Sequence, residues 1–197
     1  MLRSLVGSEM CIRDRYNEDD AEVKRVSEAA TNPIRKLPYC TPAYTVSDGV
    51  TLLETPEGPM PIEVFGAHNL NNLAGAKWIC QNMGVDEADF YEAIASFKGA
   101  SKRLEKIAEG KGKVAYKDFA HSPSKVAATT KAVKEQYPNR TLVACLELHT
   151  YSSLNAEFLK EYEGALEYAD EAVVFYSPDA VKIKHCLLYT SPSPRDS

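Results

Sequence analysis

Hydrophobic and polar positions in the second half of the chain follow a repeating pattern. Short apolar runs predict strands at Lys113–Asp118, Thr141–Leu146 and Ala172–Tyr176. Between them, apolar side chains recur at helical spacing, first around Val126–Tyr137 and then over Leu154–Tyr168. Because Thr141–Leu146 is apolar without interruption, we expect both of its faces to be covered. The order β–α–β–α–β predicts an α/β fold with a largely parallel, three-layer sheet.

The first half follows a different pattern, with turn signals between short strands. Asp48-Gly49 predicts a hairpin between Thr45–Ser47 and Val50–Glu54, and a third strand is expected at Ile62–Phe65. Helices are predicted at Ala21–Ala30, from about Asn69 to Met83, and from Asp86 onwards. The second of these presents an apolar face of Leu73, Ala76, Cys80 and Met83, and the third one of Phe90, Ile94 and Phe97.

Both ends of the chain indicate a separate origin. Leu5–Arg15 and Cys186–Asp196 can be back-translated into DNA strings that are reverse complements over nearly their whole length, read in different frames. The string resembles a transposase adapter used in sequencing libraries. We therefore expect residues 1–15 and 186–197 to be translated adapter, which carries no information on the natural fold, and residues 16–185 to come from a longer gene. The alternative is a natural basic arm and a Ser-Pro tail.

Charge and cysteine content exclude several functional classes. The chain has 23 basic and 28 acidic residues. The two ends hold four of the basic and three of the acidic residues. The remainder has 19 basic and 25 acidic residues, a net charge of −6. Without a basic stripe, we expect no nucleic-acid partner. The longest apolar runs fall short of the roughly 20 residues of a membrane helix, so no membrane partner is expected. Cys40, Cys80 and Cys145 lack CxxC spacing, which favours the reducing cytoplasm over a disulfide or zinc site.

Candidate binding residues follow the predicted strands. Asp118 ends one predicted strand, and His121 follows it before a helix whose N-cap is Ser122 and whose first residue is Pro123. Such a turn is where nucleotides or anions dock in α/β proteins, although an ordinary solvated turn would have the same sequence. His149–Ser153 follows the next strand.

Two further groups of polar residues stand in the first half of the chain. Asn69 and Asn72 lie on one face at a helix start, where an Asn carboxamide either pairs with adenine or caps the helix. The acids Glu18, Asp19 and Asp20 could bind a metal, but acids also favour the first turn of a helix, which is the interpretation we prefer.

Three motifs occur in a fixed order: G-x-H-N-x-x-N from Gly66, G-x-x-x-R-x-E from Gly99, and D-F-A-H-S-P from Asp118. Together they resemble the Mur ligases, ATP-dependent amide-bond ligases of peptidoglycan synthesis and recycling. The resemblance covers most of Asn17–Tyr176. It implies that residues 16–98 are the end of a central ATPase domain and residues 99–185 a truncated, Rossmann-like C-terminal domain.

Details within the family bear on the substrate. Arg103-Leu104-Glu105 and Phe119 most resemble the murein peptide ligases, which attach a tripeptide to UDP-N-acetylmuramate. The related ligases that attach L-alanine usually have Phe after that Arg, Tyr after that Asp, and an Arg-rich loop at the position of His149–Ser153. The chain also departs from the family at Ser122 and Lys125, where the family often has a His and an acid.

The resemblance implies a role for each candidate residue. Asn72 would contact adenine, with support from Asn69. Arg103 would contact the ATP phosphates, Asp118 would bind the ribose hydroxyls, and His121 would lie beside the nucleotide. The incoming substrate would meet His149, Tyr151 and Ser152. ATP and Mg2+ are the implied cofactors, and UDP-N-acetylmuramate and a peptide or amino acid the implied partners, joined through an acyl phosphate.

The chain has no G-x-x-x-x-G-K-[ST] phosphate loop, so we expect an incomplete enzyme with no intact catalytic or metal site. We also expect Tyr16–Phe97 to be loosely ordered in isolation, because it would lack its own sheet. The open alternatives are a nucleotide-binding module without catalysis and a folylpolyglutamate-type ligase.

Overall fold

The computed structural model describes residues 13–31, 34–150 and 152–179. The chain divides into two compact units, one ending at Gly99 and the other beginning at Ala100. Tyr151 lies outside the described residues, as do most of the residues interpreted as adapter.

The first unit combines a parallel strand pair, a three-stranded meander and three helices. Strands β1 and β2 are parallel, and β3, β4 and β5 form the antiparallel meander in that order. The elements are β1 (Arg13–Asn17), α1 (Ala21–Ala29), β2 (Arg35–Tyr39), β3 (Tyr44–Ser47), β4 (Val50–Thr55), β5 (Gly58–Ile62), α2 (Ala67–Asn82) and α3 (Glu87–Ala95).

The predicted hairpin is confirmed, since Ser47 pairs with Val50 across Asp48 (φ 50°) and Gly49 (φ 77°). Two successive left-handed residues make the tight turn that suits the twist of paired strands. The strand predicted at Ile62–Phe65 is wrong, because β5 ends where that prediction begins. Thr55 already pairs with Gly58 across a two-residue turn, so β5 starts earlier.

The core of the first unit lies between the meander and one face of α2 and α3. It consists of Leu53, Ile62, Leu70, Leu73 and Phe90. Cys80 and Ile94 pack against it as predicted, whereas Ala76 is exposed, Met83 is 70% exposed and Phe97 is 46% exposed. The face of α2 that is buried runs through Leu70, Leu73 and Ala74, and Met83 and Phe97 follow the ends of their helices.

Arg13–Arg15, which we interpreted as the end of the adapter, belong to β1. Their origin stays a prediction. Ladder hydrogen bonds join backbone groups, so a strand can be extended by almost any side chains. The pairing is therefore compatible with either origin of the segment.

The second unit is also α/β, as predicted, with one antiparallel and one parallel pair of strands. Its elements are β6 (Glu105–Gly110), β7 (Lys113–Lys117), α4 (Pro123–Gln136), β8 (Val143–Leu148) and β9 (Glu171–Tyr176), with 3₁₀ turns at Ser152–Leu154 and Phe158–Tyr162. Leu146 and Leu148 of β8 form a small core with Val126 of α4 and with Ala165.

Two predictions for this unit need correction. The parallel sheet of the described residues has only two strands, and only one face of β8 is covered: Val143 is 56% exposed and Cys145 is exposed. The three-layer arrangement is therefore not formed there. The helix predicted over Leu154–Tyr168 is replaced by the 3₁₀ turns, because Gly164 takes φ 77°, which no α-helix interior accommodates.

Candidate functional site

Three predicted site residues meet in the second unit, around the ring of Phe119. The guanidinium carbon of Arg103 lies 5.7 Å from the centroid of this ring. The His121 and His149 rings lie 5.1 and 6.5 Å from it and 6.3 Å from each other, centroid to centroid. Three separate stretches of the chain thus converge on one patch, with a cation over an aromatic ring. The central position of Phe119 was not predicted from the sequence.

Asp118 is half-buried and already accepts three hydrogen bonds. Its Oδ1 accepts from Ala120 N at 2.8 Å, which closes the turn after β7. Its Oδ2 accepts from Leu104 N and from Thr129 Oγ1 of α4, both at 3.2 Å. A carboxylate offers about four acceptor positions, so a single position on Oδ1 is left for a ligand.

The His121 ring is held by a backbone carbonyl. Its Nδ1 lies 2.9 Å from Phe119 O, and since a carbonyl only accepts, we assign a ring proton to Nδ1. In the neutral ring, Nε2 is then an acceptor. The hydroxyl of Tyr162 donates to His121 O, and burial raises the pKa of Tyr162, which keeps that hydroxyl protonated.

The turn leads directly into α4. Pro123 stands at the start of the helix, as predicted, and the Ser122 carbonyl accepts from Val126 N at 2.9 Å. The Ser122 side chain makes no capping hydrogen bond.

The loop after β8 is closed by its own side chains. Thr150 N donates to Ser153 Oγ at 3.0 Å, and Ser153 N donates to Thr150 Oγ1 at 3.2 Å. Ser153 is 1% exposed, whereas Ser152 is exposed. His149 Nδ1 lies 3.3 Å from Glu147 O. Of the predicted substrate residues, His149 and Ser152 are therefore presented to solvent, while Ser153 has a structural role.

The two predicted asparagines lie in the first unit, on the first turns of α2. Asn69 Nδ2 donates to Phe65 O at 3.0 Å and so fixes the helix start, where Gly66 takes φ 87°. Asn72 is exposed on this helix. Its carboxamide is therefore available to a ligand.

Asn71, between them, belongs to a polar network that was not predicted. Its Nδ2 donates to Asn17 Oδ1, Asp19 Oδ2 and Thr41 Oγ1 at 3.0–3.2 Å. The backbone N–H and hydroxyl of Thr41 both donate to Asp19 at 2.7 Å, which lowers the pKa of that carboxyl. The network joins the ends of β1 and β2 to α2. Only the density of Asn and Asp in the sequence hinted at it.

Of the acids at Glu18–Asp20, Asp20 lies at the helix start, as in the interpretation we preferred. Asp20 caps α1 by accepting from Glu22 N and Val23 N at 3.0 Å. In the described ranges, no three His, Cys, Asp or Glu side chains are grouped so that they could hold a metal ion. No helix in those ranges is long and apolar enough to cross a membrane.

Comparison with known proteins places these features in context. A UDP-N-acetylmuramate–L-alanine ligase of Microcystis aeruginosa is 35% identical over 135 residues, which are 65% of this chain and 28% of that protein. The ligase of the same name from Lactococcus lactis is 32% identical over 113 residues, 57% of this chain and 25% of that protein. The chain thus spans about a quarter of the length of these curated relatives.

The fold has a counterpart among solved structures. The crystal structure of the UDP-N-acetylmuramate–alanine ligase of Thermotoga maritima matches with a TM-score of 0.58 and 20% identity, over 79% of this chain and 37% of that one. This likeness supports the predicted Rossmann-like ligase fold. No family model matches the chain.

Proposed function

We propose that the chain, which resembles the Mur ligases in sequence, is part of an ATP-dependent ligase of peptidoglycan synthesis or recycling. The whole enzyme would join an amino acid or peptide to UDP-N-acetylmuramate through an acyl phosphate. The observation that supports this most strongly is the convergence of Arg103, His121 and His149 around Phe119, next to Asp118, which holds the Arg103 loop through Leu104 N. Residues 16–98 and 99–185 would be the remnants of the ATPase and C-terminal domains, and the enzyme would act in the cytoplasm.

Each side chain of the second unit has a chemically suited part in holding ATP. The planar guanidinium of Arg103 is exposed and matches the geometry of phosphate oxygens. The remaining acceptor position of Asp118 suits a ribose hydroxyl. The Nε2 of His121 would accept from a neighbouring hydroxyl or amine of the nucleotide. In the first unit, Asn72 is our candidate for the adenine edge, with Asn69 holding the helix start.

Bound ATP would supply the phosphoryl group that activates the sugar carboxylate. The described residues offer no grouped acids for Mg2+, so we assign the metal and the phosphate loop to other parts of the longer protein. The task proposed for this chain is to bind and orient the nucleotide. His149, Tyr151 and Ser152 are the candidates for meeting the incoming amine.

Two acceptors are supported by different observations. Leu104-Glu105 after Arg103, and Phe119, favour a tripeptide. The curated relatives described above are named L-alanine ligases, which favours L-alanine. Activity of the longer gene product with each acceptor, measured as phosphate release that depends on UDP-N-acetylmuramate, would decide between them. Release with neither acceptor would refute the proposed reaction.

The nucleotide site can be tested on this chain itself. In an ATP titration followed by two-dimensional NMR, the backbone resonances of Arg103, Asp118–His121 and His149 should shift together at millimolar ATP. Arg103→Ala should abolish these shifts. Arg140→Ala is the matched control, since Arg140 also lies over an aromatic ring, 4.8 Å from the centroid of Tyr137. Shifts that are absent, or equally sensitive to both substitutions, would contradict the site.

A further inference from the structure

The loop that carries Arg103 has an unusual backbone. Lys102 and Leu104, the residues on either side of Arg103, take φ angles of 58° and 46°. Side chains other than glycine disfavour this left-handed region. Two such residues separated by one position need contacts that hold them, and the burial of Leu104, which is 7% exposed, is one of these contacts.

A carboxylate holds the backbone on each side of Arg103. Glu105 Oε2 accepts from Lys102 N at 2.7 Å, and Asp118 Oδ2 accepts from Leu104 N at 3.2 Å. Hydrogen bonds to a charged acceptor are stronger than those between neutral groups. Phe119 N also donates to Lys102 O at 2.9 Å, which ties the loop to the residue whose ring lies beneath Arg103.

Glu105 has no part in the proposed nucleotide contacts, yet it fixes the residue next to Arg103. Its carboxylate is directed at the loop, since the Ser101 hydroxyl also donates to it at 3.4 Å. We propose that Glu105 is a positioning residue that keeps the Arg103 guanidinium above Phe119, ready to meet an anionic group. The anion is a phosphate of ATP if the proposed function holds, and in that respect the inference rests on it.

The first test needs no ligand. The Arg103 Nε–H resonance reports its place over the Phe119 ring through the ring-current shift, and Phe119→Leu gives the position without that ring. Glu105→Ala should move the resonance towards the Phe119→Leu position, and Glu105→Gln, which keeps an acceptor oxygen, should restore it. Glu109→Ala is the matched control, because Glu109 lies on the same strand and pairs with Lys106 at 2.9 Å. An unmoved resonance in Glu105→Ala would overturn the proposal.

The second test uses ATP. Loss of one such hydrogen bond should weaken ATP binding about fivefold in Glu105→Ala, with recovery in Glu105→Gln and no change in Glu109→Ala. Equal ATP affinity in Glu105→Ala, Glu105→Gln and Glu109→Ala would overturn a role of Glu105 in ATP binding. If the wild-type chain does not bind ATP while Glu105→Ala still moves the Arg103 resonance, the proposed function fails and the positioning role stands. A backbone spectrum that is otherwise unchanged shows that each variant is folded.

Discussion

Truncating Leu70 tests the packing that presents Asn69 and Asn72. Leu70 is 0% exposed and packs with Leu53, Ile62, Leu73 and Phe90. Leu70→Ala removes three carbons from a site enclosed by the meander and two helices, so little collapse can refill the space. We expect a loss of about 3 kcal/mol in the free energy of unfolding, within the range for buried leucines. That is a large part of the roughly 4–12 kcal/mol expected for a unit of this size.

The chain has one tryptophan, Trp78, and it lies on α2 in the first unit. Its fluorescence therefore reports the unfolding of that unit in urea. With a denaturant slope of about 1 kcal/mol per molar for so small a unit, the midpoint should fall by about 3 M. Leu148→Ala, in the core of the second unit, is the control and should leave the Trp78 transition in place. A loss below about 1 kcal/mol in Leu70→Ala, or an equal shift in the control, would refute the reasoning.

Three further substitutions test two hydrogen-bonded contacts and one backbone conformation. The hydrogen bonds from Thr41 lower the pKa of Asp19 below its ordinary value of 3.8. The stabilising contribution of Asp19 is therefore complete above pH 3.8 and is lost as the pH falls through the lowered pKa. Asp19→Asn should make the urea midpoint less sensitive to pH below 3.8. Gly164→Ala should destabilise the second unit by about 1 kcal/mol, because alanine is strained at φ 77°; a gain in stability and helical circular dichroism would contradict this. Tyr162→Phe removes the hydrogen bond to His121 O, so amide exchange should accelerate at Phe119–Ser122 and stay unchanged at Leu146.

Burial of apolar side chains in the two units leads us to revise the expectation that the first unit is loosely ordered. The sequence led us to expect a loosely ordered first unit, because its resemblance implied a missing sheet. The core of that unit nevertheless contains Phe90 and four aliphatic side chains. The core cluster of the second unit is smaller, with Val126, Leu146, Leu148 and Ala165, and the side chains of β9 are about half exposed. We now expect the first unit to be the more stable one.

The predictions that succeeded rest on local signals. The hairpin at Asp48-Gly49 and the helix start at Ser122-Pro123 are specified by a few neighbouring residues. Covering of both faces of β8 depends on elements distant in the sequence, and it was predicted wrongly. The helix over Leu154–Tyr168 failed because apolar spacing carries no information on the left-handed Gly164.

The site shows the same division. Asp118 and His121 could be placed at the end of a strand because polar residues in that position are visible in the sequence. The hydrogen bonds that Glu105 and Asp118 accept from Lys102 N and Leu104 N could not be predicted, since both depend on the path of a loop in which Lys102 and Leu104, rather than glycines, are left-handed. A sequence pattern assigns positive φ to glycine or asparagine, so it gives no reason to expect a carboxylate on this backbone.

Asp118 would have two roles, which its hydrogen bonds couple: it holds the Arg103 loop, and it would bind the ribose. Oδ2 is saturated by Leu104 N and Thr129 Oγ1, and Oδ1 keeps one acceptor position beside Ala120 N. An asparagine cannot reproduce this arrangement, because its amide nitrogen would face a backbone donor in either orientation. If the nitrogen faced Leu104, the Arg103 loop would lose one of its two carboxylate contacts. If it faced Ala120, the turn and the ribose position would be lost together. Two acceptor oxygens are therefore needed at position 118 even before any nucleotide binds.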